Sequence, residues 1–322
     1  MIRFATIGSN VIVDSFLRGA AHDPRFQLQA VYSRTQERAA EFAVKHGVKH
    51  TYTSLEALAA DPHVDAVYIA SPNCFHAPQA ILMMEHGKHV LCEKPLAPSF
   101  AEGKAMTEAA CRHGVVLMEA MKTTLMPNFF RIKEALPQIG TVRRFFAQFC
   151  QYSSRYDNFK KGVVSNAFRA GMGTGALRDL GVYGLAPLVH LFGMPQQLQA
   201  SATLLSTGVD GQGSVLMTYP EMEAVVEFSK ISDSFLPSEI QGERGRILIG
   251  KLSTMKNPVL ELRDGTTTDL SVPTLEDDMY YELKEFIDVI ESGTGESGIN
   301  THQRSLDVLR LVDRAGEIIQ SK

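Results

Sequence analysis

The chain has only four cysteines, Cys74, Cys92, Cys111 and Cys150, in no CxxC pair and at no Cys/His ligand spacing. That argues against a disulfide framework and against a structural zinc, and no metal is expected; reduced, partly buried thiols are the expectation. Positive charge is not in excess, because 32 Lys and Arg stand against 36 Asp and Glu, a formal net charge of -4. A nucleic acid or an anionic membrane surface would find little to hold, so the expected partner is a small-molecule substrate. No apolar run reaches the roughly 20 residues that span a bilayer. The chain opens on the strand-like run Met1–Gly8 rather than on a charged and then apolar leader, and cytoplasmic residence is the expectation. Internal repeats and low-complexity tracts are lacking too, which sets aside solenoids and disordered linkers.

What is present is an ordinary globular composition, 44% hydrophobic and 21% charged over 322 residues, a length that suits two domains. From Ile2 to about Ala120, short apolar runs alternate with stretches of helical period. Strands are expected at Arg3–Ile7, Leu28–Tyr32, Ala66–Ile69, His89–Cys92 and Val115–Met118, with helices between them. That alternation predicts an α/β fold of the Rossmann type, a doubly wound parallel sheet. After Met121 long strands follow too closely for βαβ units, among them Arg143–Tyr152, Gln199–Ser206, Ser214–Tyr219 and Glu223–Lys230. They predict a second α/β domain with a large open, mostly antiparallel or mixed sheet, followed by helices at Asp277–Glu291 and His302–Ile319. The division is 1–120 for an NAD(P)-binding domain and 121–322 for substrate binding and dimerisation.

The first βα turn, Gly8-Ser9-Asn10-Val11-Ile12-Val13, stands where a dinucleotide fingerprint would. Gly8 matches the first glycine, while Asn10 and Val13 replace the second and third, which normally let the backbone approach a pyrophosphate and the helix pack tightly. Asn tolerates left-handed backbone angles, so Asn10 is expected to hold the turn in that way; an ordinary βα turn would read the same. The second strand ends at Tyr32-Ser33-Arg34-Thr35, with no Asp or Glu for the ribose hydroxyls of NAD. Ser33, Arg34 and Arg38 suit a 2′-phosphate instead, because guanidinium makes paired, charge-assisted bonds to phosphate oxygens. NADP(H) is favoured over NAD(H), against the reading that these arginines are solvated charges at a helix start. Lys94 follows the apolar strand His89–Cys92 at the carboxyl end of the sheet, where open α/β folds place their ligands. Pro95 restricts its backbone and suits a cis bond. Glu93 is divided between orienting Lys94 and capping local backbone.

The run Ser71-Pro72-Asn73-Cys74-Phe75-His76, followed by Gly87-Lys88-His89-Val90 and Glu93-Lys94-Pro95, resembles the Gfo/Idh/MocA family, the relatives of glucose-fructose oxidoreductase and inositol dehydrogenase. Gly173–Gly181 is similar to the family's second-domain helix start, so the resemblance runs through essentially the whole chain. It implies a Rossmann domain followed by an α/β domain whose open sheet often forms dimers, hence a homo-oligomer, a dimer or higher. It also implies cofactor contacts from Ser71, Pro72, Asn73, His76, Glu93 and Lys94, and a catalytic Lys94.

In the family this second-domain helix usually carries Asp, Gly, His and a further Asp; here the positions hold Asp179, Gly181, Tyr183 and Pro187. Tyrosine in place of His resembles the branch with dihydrodiol dehydrogenase and glucose-fructose oxidoreductase. A spacing of four puts Asp179 and Tyr183 on one face of an α-helix, and His190 nearly so. With an ordinary pKa of about 10, Tyr183 suits proton donation to a carbonyl under reduction. Asp179 would orient it, or only complement the helix dipole. Pro187 lacks the amide for the Tyr183 carbonyl, so a kink or a fresh helical segment is expected there. Arg155 and Tyr156, and with less reason Arg169, suit a polyhydroxylated or carbonyl substrate as well as they suit a surface loop.

The function expected is hydride transfer between a nicotinamide and a hydroxyl or carbonyl carbon of a sugar, polyol, diol or dicarbonyl, with Lys94, Tyr183 and Asp179 catalytic. Two rivals remain open: a glycoside hydrolase working through a held NAD, and a non-catalytic dinucleotide-binding regulatory protein.

Overall fold

Two units make up the structure, a computed structural model that describes residues 1–321. Met1–Met121 and Leu275–Leu306 form the first; Lys122–Thr274 and the chain from Asp307 onward form the second.

In the first unit strands and helices alternate: β1 (Ile2–Ile7), α1 (Val11–Ala20), β2 (Phe26–Tyr32), α2 (Gln36–His46), β3 (His50–Tyr52), α3 (Leu55–Ala59), β4 (Ala66–Ile69), α4 (His76–Glu85), β5 (His89–Glu93), α5 (Phe100–His113) and β6 (Leu117–Ala120). All six strands run parallel in the order β3-β2-β1-β4-β5-β6. That is the doubly wound order expected from the alternation; β3, three residues long, is the strand that sequence pattern did not reveal. β4 and β6 are buried at every position, as strands covered on both faces must be. α1, α2, α3 and α5 each start on a polar side chain that accepts a backbone amide: Asn10, Thr35, Ser54 and Ser99.

The strand order reverses between β1 and β4, which opens a crevice outside their carboxyl ends. Ile7 pairs with Tyr32 on one side and Ile69 on the other, Ile69 pairs with Cys92, and Cys92 with Glu119. Gly8, Ser33, Ser71 and Lys94 therefore emerge along one edge of the sheet.

The second unit begins with α6 (Pro127–Ala135), β7 (Val142–Cys150), α7 (Tyr156–Lys160) and α8 (Val182–Phe192). There follow β8 (Gln197–Leu204), β9 (Asp210–Thr218), β10 (Glu223–Ser229), β11 (Ser238–Gly242), β12 (Gly245–Lys251), β13 (Lys256–Leu262) and β14 (Thr267–Asp269). The eight strands form one sheet, β14-β13-β12-β11-β7-β10-β9-β8, antiparallel except for the central pair β7 and β10. Inward Phe145, Ala147, Val215, Val226, Phe228 and Ile247 are buried, while Arg144, Gln199, Glu223 and Glu227 on the opposite face are exposed. α8 lies against the buried face: a Cβ on Gly184 would stand 2.7 Å from Val226 Cγ1.

The last helices are α9 (Tyr280–Ser292) and α10 (His302–Gln320). α9 follows the second sheet in the chain but packs in the first unit. Its Leu283, Phe286 and Ile287 are wholly buried, the Phe286 ring lies 5.9 Å from Phe4, and Arg25 donates to Asp288 and Glu291 at 2.8 Å each.

Candidate active site

Gly8 leaves β1 with φ +123°, a conformation L side chains avoid, and a Cβ there would stand 2.9 Å from the Ala70 carbonyl oxygen. Glycine is demanded here by both backbone and space. Asn10 does hold the turn, but not through a left-handed backbone: at φ -113° and ψ 176° it is extended. Its side chain does the holding, with Oδ1 accepting from the Ile12 and Val13 amides at 3.0 and 3.2 Å and Nδ2 donating to the Ala70 oxygen at 2.9 Å. The turn after β1 is thereby tied to the turn after β4. Val13, in place of the third glycine, is fully buried in the packing beneath the turn. Ser9 is half-buried, whereas Val11 is 78% exposed and Ile12 38%, at the positive end of the α1 dipole. A cradle that a Cβ would fill, beside a helix N-terminus, fits a dinucleotide.

At the end of β2, Ser33 is buried and its amide donates to the Tyr52 carbonyl at 3.1 Å. Thr35 caps α2 by accepting from the Arg38 amide. Arg34 and Arg38 are exposed, and among the described residues neither guanidinium has an acidic partner within ion-pair distance. Positive charge without an acid is the electrostatic pattern a 2′-phosphate needs.

The Lys94 segment is held from beneath. Glu93, buried at the end of β5, accepts from the Tyr68 hydroxyl at 2.6 Å and from the Lys94 amide at 3.2 Å. Of the two jobs expected of it, Glu93 caps local backbone, bonding the Lys94 amide while held by the Tyr68 hydroxyl. Burial, then the Glu93 charge, pushes the Tyr68 hydroxyl well above its ordinary range, so it stays a donor. The Lys94–Pro95 peptide is cis. Beyond it, the Leu96 amide donates at 2.9 Å to Glu119, whose other oxygen accepts from Ser305 at 2.7 Å. Burial holds the Glu119 carboxyl above the usual carboxylate range, with those two hydrogen bonds opposing it.

His76 is wholly buried, with Nδ1 3.1 Å from the Pro95 oxygen and Nε2 3.0 Å from the Ser71 oxygen. Burial lowers its pKa, and a neutral ring donates from one nitrogen only, so the tautomer decides which carbonyl is bonded. Its position is that of a brace between two loops: Ser71-Pro72-Asn73, half-buried at the sheet edge, and the Lys94–Pro95 corner. Ser71 itself donates to Gln79 at 2.7 Å. Lys88 is likewise internal, its ammonium on the carbonyls of Asp61 and Val64 at 2.6 and 2.8 Å. Glu119 and Tyr68 escaped sequence reading. The one available signal was a polar group inside an otherwise apolar strand.

In the second unit Asp179 lies in a π-helical turn, Leu177–Gly181, which passes into α8 at Val182. The α-helical spacing that put Asp179 and Tyr183 on one face is thus corrected, because a π-turn widens the coil to i→i+5 bonding. No fresh helical segment begins at Pro187: α8 runs through it to Phe192, and the change of helix type comes five residues earlier. Val182, Leu185, Ala186, Leu188 and Val189 are buried around the proline, and packing compensates the lost amide. The start of the turn is fixed by Asp210, whose Oδ2 accepts from the Leu177 amide at 2.7 Å. Gly175, at φ +137°, makes room for that carboxylate; a Cβ would sit 2.0 Å from its Oδ1.

Asp179 accepts from Lys230 Nζ at 2.6 Å. The lysine side chain is 7% exposed, against 42% for Asp179, and its ammonium stands 5.4 Å from the centroid of the Phe168 ring. Lys230 is another residue that sequence reading missed, since nothing local marks a lysine just past β10. Tyr183 is half-buried, edge-on to Phe149 at 5.3 Å. His190 instead meets the Phe129 ring at 4.9 Å. Tyr156 belongs to an aromatic cluster with Tyr152, Phe159 and Phe168, which brings it to the surroundings of the Lys230 pair. Arg155 and Arg169 are exposed, the latter turned back onto the Val164 carbonyl at 3.3 Å.

The arrangement has relatives. Residues 2–121 match the model of an oxidoreductase family with an NAD-binding Rossmann fold, and residues 132–248 match a GFO/IDH/MocA C-terminal domain. A scyllo-inositol 2-dehydrogenase (NADP(+)), IolU of Bacillus subtilis, is 50% identical over 98% of this chain and 96% of its own. A trans-1,2-dihydrobenzene-1,2-diol dehydrogenase of Danio rerio is 32% identical over 90% of this chain and 87% of its own. A levoglucosan dehydrogenase in complex with NADH and levoglucosan has the same fold, with a TM-score of 0.87 at 20% identity over 99% of this chain and 97% of that one. The chain belongs to the Gfo/Idh/MocA family and is an NAD(P)-dependent oxidoreductase acting on CH–OH groups.

Proposed function

We propose that the enzyme interconverts a secondary hydroxyl of a polyol or cyclic diol and the corresponding ketone, with NADP(H) preferred over NAD(H). The observation that carries this reading is the pair Arg34 and Arg38, exposed without an acidic partner among the described residues at the end of β2. Half of all positions are shared with a relative named as an NADP(+)-dependent inositol dehydrogenase, which favours the same cofactor and a polyol. The first domain, 1–120, holds the dinucleotide: Gly8, Ser9, Asn10, Val11 and Ile12 at the pyrophosphate, Ser33, Arg34 and Arg38 at the 2′-phosphate, and Ser71, Pro72, Asn73 and Glu93 toward the nicotinamide. His76 contributes by lying between two of these segments and donating to a carbonyl of one of them. The second domain, 121–322, supplies substrate determinants.

When bound, the nicotinamide supplies the hydride acceptor or donor. In the oxidative direction Tyr183, as its phenolate, accepts the hydroxyl proton, Lys94 stabilises the alkoxide charge and Asp179 orients the proton transfer. Tyr156 and, with less support, Arg155 and Arg169 contact the substrate. Four free thiols accord with a reducing, cytoplasmic setting. The exposed sheet face, with its row Leu216, Val225 and Phe146, suits a homo-oligomeric contact, a dimer or higher.

The test is turnover of scyllo-inositol and of trans-1,2-dihydrobenzene-1,2-diol with NADP+ or NAD+, alongside a glycoside panel without nucleotide. NADPH formation with a polyol, and a lower KM for NADP+ than for NAD+, are expected. Glycoside cleavage without net cofactor turnover would replace this reading by the hydrolase one.

A further inference from the structure

We propose that Lys230 is a positioning residue for the reaction, holding Asp179 as a fixed and ionised acceptor beside the substrate. This rests on the role given to Asp179 in the functional reading above. The lysine is placed by its backbone: its amide donates to the Gly211 carbonyl at 2.8 Å, and its carbonyl accepts from the Ser153 amide at 2.9 Å. Two neighbouring segments thus clamp it just past β10. Only 7% of the side chain reaches solvent, and its ammonium meets Asp179 Oδ2 at 2.6 Å and faces the Phe168 ring. A buried ammonium is tolerated when it is paired, so the ion pair has a fixed geometry that a surface pair lacks.

Asp179 is the more open partner, with 42% of its side chain exposed. A carboxylate offers about four lone-pair sites on two oxygens, so the contact with Lys230 leaves acceptor capacity for a hydroxyl. Because Asp179 lies in a π-turn, whose bonding is looser than that of an α-helix, an external tether has a purpose here. Charged groups nearby on the same unit include Asp210, which caps Leu177, and Arg178, which pairs with Asp313 at 3.5 Å. Phe168 joins the ion pair to the Tyr152, Tyr156 and Phe159 cluster, an apolar wall of the kind that packs against the C–H face of a ring-shaped polyol.

The experiment uses the full-length enzyme with the polyol and nucleotide that give turnover in the preceding assay. Lys230→Met removes the charge at similar length, Lys230→Arg keeps it, and Asp179→Asn removes the other partner. Lys230→Met is expected to lower kcat/KM roughly tenfold or more, since charge-assisted hydrogen bonds are among the stronger ones. It should also move the acid limb of the kcat/KM profile to higher pH, because a carboxylate deprived of its cation protonates at higher pH. NADP(H) affinity should stay as in the parent. Lys230→Arg should recover most of the loss, and adding Asp179→Asn to Lys230→Met should cost little more. A parental acid limb in Lys230→Met, or losses that add in full, would overturn the proposal. Should Lys230→Met not fold, Asp179→Asn decides alone, because an unchanged pH profile there removes the group Lys230 is said to hold. Absence of polyol turnover by the parent enzyme overturns the functional reading and this inference with it, an outcome distinct from parent-like kinetics in the variant.

Discussion

Lys94 and Asp179 are held in place by different means. Around Lys94 the support comes from buried side chains that bond the backbone on either side of it: Glu93 on its amide, Glu119 on that of Leu96, His76 against the Pro95 carbonyl. Around Asp179 it comes from an ion pair to the carboxylate itself, made by a lysine 51 residues away in the chain. The first arrangement fixes a loop and lets it present a side chain. The second fixes the functional group directly, through an ion pair to the carboxylate. Variants should therefore behave differently: damage to the first unit's turns should fall on cofactor binding and stability, and damage near Asp179 on the pH profile.

The sharpest way to break the contrast is Gly8→Ala. With φ at +123° and the Ala70 oxygen 2.9 Å from the added methyl, the turn must strain or shift. The expected cost is about 1–3 kcal/mol of stability, read by thermal or denaturant unfolding, together with a larger loss of NADP(H) affinity read by titration. Unchanged unfolding and affinity would show that the β1 turn is not the cofactor cradle. A smaller and more selective effect is expected from Arg34→Ala. Its NADP(H) Kd should rise roughly tenfold while that for NAD(H) and the unfolding midpoint stay put, since only a charge-assisted contact to a phosphate is lost. Equal losses for both cofactors would place the arginine elsewhere.

The two regions also differ in how much the sequence disclosed. Apart from the three-residue β3, the parallel sheet was legible because its strands are short apolar runs bounded by turn residues, and because the chemistry-bearing residues follow those strands directly. Gly8, Ser33, Ser71 and Lys94 sit one or two residues past a strand end, and strand register lines them up. Where reading failed, long-range packing had overridden a local rule. Asn10 was expected to turn by backbone angle, yet its side chain reaches Ala70, 60 residues on. Asp179 and Tyr183 were spaced for an α-helix, but the π-turn between them depends on Asp210 and on packing over the sheet. β11 to β14 went unseen because glycines and a proline interrupt most of them and because pairing, β11 on β7 and each later strand on the one before it, and not pattern, makes them strands. α9 reads as an amphipathic helix; which sheet it covers is decided by Phe4 and Arg25, more than 250 residues earlier.

The most direct test of the central claim, that Lys94 and Tyr183 carry the proton and charge handling of a hydride transfer, is kcat measured beside NADP(H) Kd for Lys94→Ala and Tyr183→Phe. Both variants should lose roughly 100-fold or more in kcat, the range of positioned acid–base groups. Both should bind NADP(H) within about threefold of the parent, because the interactions removed act in the transition state. Parent-like turnover in either variant, or loss of cofactor binding in both, would contradict the account.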